Sequence, residues 1–231
     1  QALAETLGGN VIAQLNNPGT PVILGASPLV MNLRKGINVY FSPEMLVLQA
    51  ASGRMADRYD IPFFGTGGCT NAYSMDFQAG LEAAVSLYGA VLGGQNFIHD
   101  LGFAGRGDVG SLELLTLTDE MIGMVTQAVD GMTVNADTLA HDVIADVEHG
   151  GNFLAEGHTK QYGRDALFLP DLLDAVEGSK WTEDKAVANA REETLDILAD
   201  ADPSPLSQDT VAELDETMAT ANDLAAELDT L

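Results

Sequence analysis

One cysteine, ten basic residues and no long apolar run mark out this 231-residue chain. A single thiol, Cys69, excludes an internal disulfide framework and suits a reducing compartment, so a cytoplasmic setting is expected. No apolar run reaches the roughly 18 residues of a membrane span, and no signal-peptide pattern is visible. Ten Lys and Arg stand against 35 Asp and Glu. That balance leaves none of the Lys/Arg clusters that bind nucleic acid or the anionic face of a membrane. Of the four histidines, His141, His149 and His158 form no ligand-spaced pair, so no structural metal is expected.

What is present is a globular composition, 46% hydrophobic and 6% aromatic, long enough to bury a core as one α/β domain. The formal charge is -25, and self-repulsion of that size destabilises a compact state at low salt. At about 1 M salt the Debye length falls to roughly 3 Å and most of that penalty disappears. The acids stud every helix as well as the C-terminal part, which points to adaptation to concentrated salt. The chain begins at Gln1 inside a helical pattern, so a fragment of a longer product is expected.

Apolar periodicity predicts helices over 2–15, 42–59, 76–92, 111–129 and 135–148, alternating with short apolar strands over 21–25, 61–65 and 96–99. Ser42-Pro43-Glu44 is a strong helix start, with an N-cap, a proline at the first position and an acid in the first turn. Short strands apolar on both faces, separated by helices, predict βα units around a parallel sheet. A barrel and a doubly wound sheet both fit this pattern. Beyond 171 the strands stop, and two acidic, alanine-rich helices are expected over 183–200 and 207–228, joined by a linker at 202–205.

Ligands of parallel α/β folds gather at the carboxyl ends of the strands. Three tips qualify here: the one after Gly25, the glycine-dense stretch from Gly65 to Gln78, and His99-Asp100. The second lacks both phosphate-loop patterns. Its Gly65, Gly67 and Gly68 could instead let the backbone approach a flat ligand, with Asn71, Tyr73, Asp76 and Gln78 facing the cavity. A plain helix cap explains Asp76 equally well. His99 ends an apolar strand, where an imidazole can donate to a ligand or take a proton near neutral pH; a core histidine bonded to a carbonyl is the alternative. Cys69 has no evident partner as a nucleophile. Arg106, between two glycines, could meet an anion or pair with a surface acid.

Several ordered stretches together resemble the trimethylamine methyltransferase family. They are Ala13-Gln-Leu-Asn-Asn-Pro-Gly-Thr-Pro-Val-Ile-Leu-Gly25, Ser42-Pro-Glu-Met45, Leu48-Gln-Ala-Ala51, Asp76-Phe-Gln-Ala-Gly80, Asn96-Phe-Ile-His99 and Gly150-Gly-Asn-Phe-Leu154 with His158-Thr159. The resemblance implies an α/β fold: the C-terminal part of a (β/α)8 TIM-type barrel over 1–175, followed by an acidic helical extension over 176–231. It implies methyl transfer from a methylated amine to the cobalt, as Co(I), of a corrinoid (cobalamin) carried by a cognate partner protein. No cofactor would be bound permanently, and a homo-oligomer is expected. The family's trimethylamine enzymes carry pyrrolysine in the loop matching residues 70–76, and Tyr73 falls at that place. The departure favours a quaternary amine such as glycine betaine, whose charge already makes the amine a good leaving group. On this reading His99 and Tyr73 are catalytic, while Asn71, Asp76, Gln78, Asp100 and Phe103 bind substrate. His99 or Arg106 would hold a substrate carboxylate, and Gly65, Gly67 and Gly68 would flank the cofactor. The alternatives are a non-catalytic or partial member that binds a quaternary amine or a partner protein, and an unrelated α/β enzyme acting on a phosphorylated metabolite.

Overall fold

A computed structural model describes residues 1–164, 166–173, 185–201 and 206–228. Helix α1, Ala2–Asn16, stops at Asn17, whose extended backbone breaks the helical turn ahead of Pro18 and Gly19. Strand β1 is Leu24–Gly25, shorter than the apolar run predicts. An antiparallel hairpin follows, with β2 at Val30–Asn32 and β3 at Ile37–Val39, in the register Val30 to Val39 and Asn32 to Ile37. The sequence reading treats this segment as a polar excursion; apolar residues flanking the Asn32–Gly36 turn make it a hairpin instead.

Helix α2, Pro43–Tyr59, starts as predicted: Ser42 accepts from the Met45 N–H at 3.1 Å. It ends at Asp60, whose left-handed backbone turns the chain into β4, Phe63–Thr66. Helix α3 runs Phe77–Leu92 under an Asp76 cap, and β5 is Phe97–His99. β6, Phe103–Ala104, pairs antiparallel with β7, Val109–Gly110, around a tight turn at 105–107. Helix α4, Leu112–Asp130, begins at Ser111, which accepts from the Leu114 N–H.

The predicted helix over 135–148 is two pieces, α5 Ala136–Leu139 and α6 His141–Val147, broken at Ala140 with a left-handed φ of 49°. A short α7, Gly157–Tyr162, was not legible as a helix in the sequence. Helices α8, Lys185–Asp200, and α9, Gln208–Leu228, fall where two acidic helices are expected; the linker at 202–205 lies outside the described residues. The chain divides into two compact units, Gln1–Thr194 and Leu195–Leu231. The boundary thus falls inside α8, because Ala190 is buried with Leu117 of α4 and with Leu172.

β1, β4 and β5 form one parallel sheet with β4 central. Mixed α/β structure with a parallel sheet is therefore present, and these three strands make an open sheet. Leu24 and Phe63 are buried against Ala56 of α2. The neighbouring positions turn the other way: Phe64 is 40% and Phe97 50% exposed. The second face is thus open at Phe64 and Phe97 but closed at Thr66, which is fully buried, a partial correction to the two-sided burial that the apolar runs predict.

Candidate functional site

Strand register builds the first part of the site. Thr66 stands opposite His99, and Phe64 opposite Phe97, so alternation puts Phe64, Thr66, Phe97 and His99 together on the face away from α2. The His99 ring stacks on Phe64 at 4.4 Å between centroids. Its Nδ1 lies 2.9 Å from Asp100 Oδ1. A carboxylate there requires a proton on Nδ1, which makes Nε2 of the neutral ring an acceptor. Thr66, fully buried, then donates from Oγ1 to Nε2 at 3.4 Å, and its hydroxyl meets Ser27 Oγ at 2.9 Å. A chain Asp100–His99–Thr66–Ser27 therefore crosses the tips of all three parallel strands. Asp100 has a left-handed φ of 70°, strain that is held where its carboxylate meets the imidazole.

The glycine-dense loop is packed by the protein itself. A Cβ on Gly65 would fall 2.6 Å from Gln95 Oε1 and 2.8 Å from Gln49 Oε1. On Gly67 it would meet Ile98 and Ala90, and on Gly68, where φ is 69°, Leu101 at 2.5 Å. On the Cβ side, then, these glycines make room for neighbouring side chains and, at Gly68, for the turn. Glu82 of α3 pins the loop: Oε2 accepts from Thr70 Oγ1 at 2.7 Å and from the Asn71 N–H at 2.6 Å. Its Oε1 takes Gln78 Nε2 at 2.9 Å. Sequence reasoning missed Glu82, although it lies one helical turn from Gln78. Cys69 is fully buried, and burial, with Asp100 adding repulsion, pushes its thiol up to about 12. A neutral thiol at physiological pH is no nucleophile.

A second arrangement sits beside this loop. The backbone at Gly105, Arg106 and Gly107 is left-handed at all three positions, and the Tyr73 ring occupies the place of a Gly105 side chain. The Tyr73 hydroxyl donates to Asp108 Oδ2 at 2.5 Å and accepts from Arg106 Nη2 at 2.9 Å. Arg106 also bonds Asp108 at 3.2 Å, and its guanidinium lies 5.9 Å from the Tyr73 centroid. The Tyr73 hydroxyl first, and then Asp108, hold the guanidinium still more firmly protonated. Between this turn, the β2–β3 hairpin and the start of α2 lies an open cavity of about 960 Å³, lined in part by Phe41, Asn71, Tyr73, Gln78, Glu82 and Arg106.

The expected site residues thus separate. Asn71, Tyr73 and Gln78 line the cavity, while His99 and Asp100 belong to the strand-tip chain. The Asn71 amide is committed to backbone: it accepts from the Tyr40 N–H at 2.7 Å and donates to the Phe41 carbonyl at 2.9 Å, clamping the hairpin's exit. Asp76 caps α3 through the Gln78 and Ala79 N–H groups and takes the Ser74 hydroxyl at 2.7 Å. The Ser74 bond, chiefly, holds its carboxyl below the usual range. Capping accounts for Asp76, and it does not line the cavity. Phe103, 41% exposed, sits on β6 next to the turn. His158 bonds the Asp137 carbonyl and stacks near Tyr162, away from both arrangements. Among the described residues no His, Cys, Asp and Glu cluster suits a metal ion, and no helix is long and apolar enough to cross a membrane.

The family described as trimethylamine methyltransferase (MTTB) matches residues 1–224. A glycine betaine methyltransferase of Desulfitobacterium hafniense strain Y51 is 34% identical over 214 residues, covering 91% of this chain and 45% of that protein. Trimethylamine methyltransferase MttB of Methanosarcina thermophila is 33% identical over 214 residues, 91% of this chain and 44% of its own length. Its namesake in D. hafniense strain DCB-2 is 31% identical over 213 residues, 91% and 43%. The chain spans less than half the length of the curated relatives it matches.

Proposed function

This chain belongs to the trimethylamine methyltransferase family, and we propose that it takes part in moving a methyl group from a methylated amine, of the quaternary glycine betaine type, to the Co(I) corrinoid of a partner protein. The observation that carries this reading is the open cavity with the aromatic faces of Tyr73 and Phe41; the strand-tip chain ending on His99 stands apart from its lining. The corrinoid is the acceptor substrate and supplies the nucleophile that takes the methyl group. A flat ring system arriving on another protein needs an open approach, and Tyr73 at 63% and Phe103 at 41% exposed leave one. On this reading the open sheet is an arc of a (β/α)8 barrel, consistent with a chain that covers 45% of its relative.

The chain's own residues would bind, orient and exclude water. A quaternary ammonium has no N–H to donate, so it is held by aromatic faces and by carboxylates at short range. Tyr73, Phe41 and Glu82 supply these around the cavity. The amine departs neutral and needs no proton, so His99, its ring fixed by Asp100 and Phe64, would act as a positioning residue at the strand tips.

The test is to mix the full-length protein, a cob(I)alamin-bearing corrinoid protein and a panel of methylated amines, and to follow the cobalt spectrum. Methylation from at least one amine is expected. No methylation from any of them overturns the reading. Binding of a quaternary amine without turnover would favour a non-catalytic member of the family.

A further inference from the structure

Helix α9 carries a surface that neither the cavity nor the core uses. Its apolar residues Val211, Leu214, Met218, Ala221 and Ala225 recur at alternating spacings of three and four. At about 100° per residue, that spacing gathers them into one narrow row along the helix. No described residue closes over the row. Leu214 is 50% and Met218 59% exposed, both alanines are exposed, and Val211 is half-buried. Helix α8 is the contrast within this chain. It lays Ala190 against Leu117 and Leu172 and ties Arg191 to Glu113 at 2.9 Å, so its apolar row is already in use. An apolar row left in water is a contact surface.

The charges on α9 select the partner. Over 208–222 the helix carries Asp209, Glu213, Asp215 and Glu216 and no base. Asp209, Glu213 and Glu216 fall on the side away from the row, and Asp215 alone borders it. The other bordering positions are Gln208, Thr210, Thr217 and Asn222, all uncharged. A basic partner would meet one carboxylate beside the seam, too little to recruit it. A second copy of the same helix is normally excluded from a chain of net charge -25, because acids beside a seam repel their own copies. On α9 the borders are nearly clear of them. In a parallel, in-register pair, Asp215 faces Thr210 of the second copy and Thr217 faces Asn222, so no two carboxylates oppose each other across the seam.

We propose that two copies of this chain associate through α9, as a parallel pair of helices closed by Val211, Leu214, Met218 and Ala221. The same patch serves both copies, as a two-fold contact requires. Long-range repulsion between two polyanions opposes their approach at low salt. At about 1 M salt, where the Debye length is roughly 3 Å, only the neighbours across the seam count. Association is therefore promoted by salt. It does not depend on the methyl-transfer reading.

Sedimentation velocity of the full-length protein in 0.1 and 2 M potassium chloride tests this. The wild type is expected to associate at least about tenfold more tightly in the concentrated salt. Leu214→Glu combined with Met218→Glu should halve the number of copies in the assembly. Both positions are exposed, so the circular dichroism spectrum of that variant should match the wild type. Thr210→Glu, which sets a carboxylate against Asp215, should weaken association by about threefold, and Thr210→Lys should tighten it by about as much. A wild type that stays single in 2 M salt would leave the row to another partner or to another segment of the same protein, and overturns the proposal. An assembly of unchanged size in the double variant overturns it too, as do Thr210 variants that shift association in the same direction. Open-ended aggregates that persist in the double variant would assign association to the sheet edges instead.

Discussion

His99 is held between two partners, Asp100 at 2.9 Å from Nδ1 and the Phe64 ring at 4.4 Å, so both its tautomer and its plane are set before any substrate arrives. Asp100→Asn keeps the shape and tolerates the left-handed backbone, since asparagine adopts that region readily. The carboxylate that holds the Nδ1 proton in place is lost. Single-turnover methyl transfer is expected to slow by about 10- to 100-fold, and His99→Gln by on the order of 100-fold, as reacting groups lose their alignment. Calorimetry should find betaine binding changed by no more than roughly threefold in both. An equal loss in binding and rate would mean that the pair only supports the fold.

Tyr73 offers a face and a hydroxyl, and the two can be separated. Its hydroxyl is engaged by Asp108 and Arg106, which leaves the ring for an ammonium ion. Tyr73→Phe should keep betaine affinity within about threefold, while Tyr73→Ala should lose about 3- to 30-fold, the range of a cation–aromatic contact. Loss of all transfer in Tyr73→Phe, with binding intact, would assign the hydroxyl to the chemistry instead.

The Cys69 thiol makes alkaline stability a readout of the core. Its folded pKa is raised to about 12 by burial, above the roughly 8.5 of an unfolded cysteine. The protonated thiol therefore favours the folded state fully below about pH 8.5, and that contribution fades as pH climbs toward 12. The slope from this one group approaches about 1.4 kcal/mol per pH unit. Urea midpoints measured between pH 7 and 10 should fall more steeply for the wild type than for Cys69→Ala. The native thiol should also resist a maleimide at pH 8. Rapid labelling without denaturant would contradict its burial.

Salt should raise the thermal midpoint. Exposed pairs such as Arg54–Asp57 at 3.7 Å weaken on screening, but each contributes only about 0–1 kcal/mol. Self-repulsion from a net charge of -25 is relieved at the same time, and it is the larger effect. Calorimetric scans from 0.1 to 2 M potassium chloride should show a continuous rise; a flat or falling midpoint would remove the salt-adaptation reading.

What the sequence disclosed was local. The start of α2 could be read from Ser42-Pro43-Glu44 because capping is settled within one turn. His99 and Asp100 could be read because a strand end is a local place. Thr66 and Ser27 could not, since they reach His99 across 33 and then 39 residues of chain. The break at Ala140 has no local signal either, because alanine normally continues a helix. The β2–β3 hairpin did leave a trace, apolar pairs around an Asn-to-Gly turn, which the polar residues between them obscured. Asn71 and Asp76 sat where ligand contacts are expected, and their side chains are spent on the backbone of Phe41 and of α3.

The open sheet sets a handling problem for this segment when it is prepared by itself. Its outer strands β1 and β5 each leave one edge without a partner strand among the described residues, beside a face bearing exposed Ile23, Phe64 and Phe97. Edges of that kind recruit other chains. At low ionic strength, mutual repulsion between polyanions keeps such encounters rare. The salt that firms each fold also removes that barrier between molecules, so thermal resistance and colloidal dispersion should move in opposite directions as brine is added.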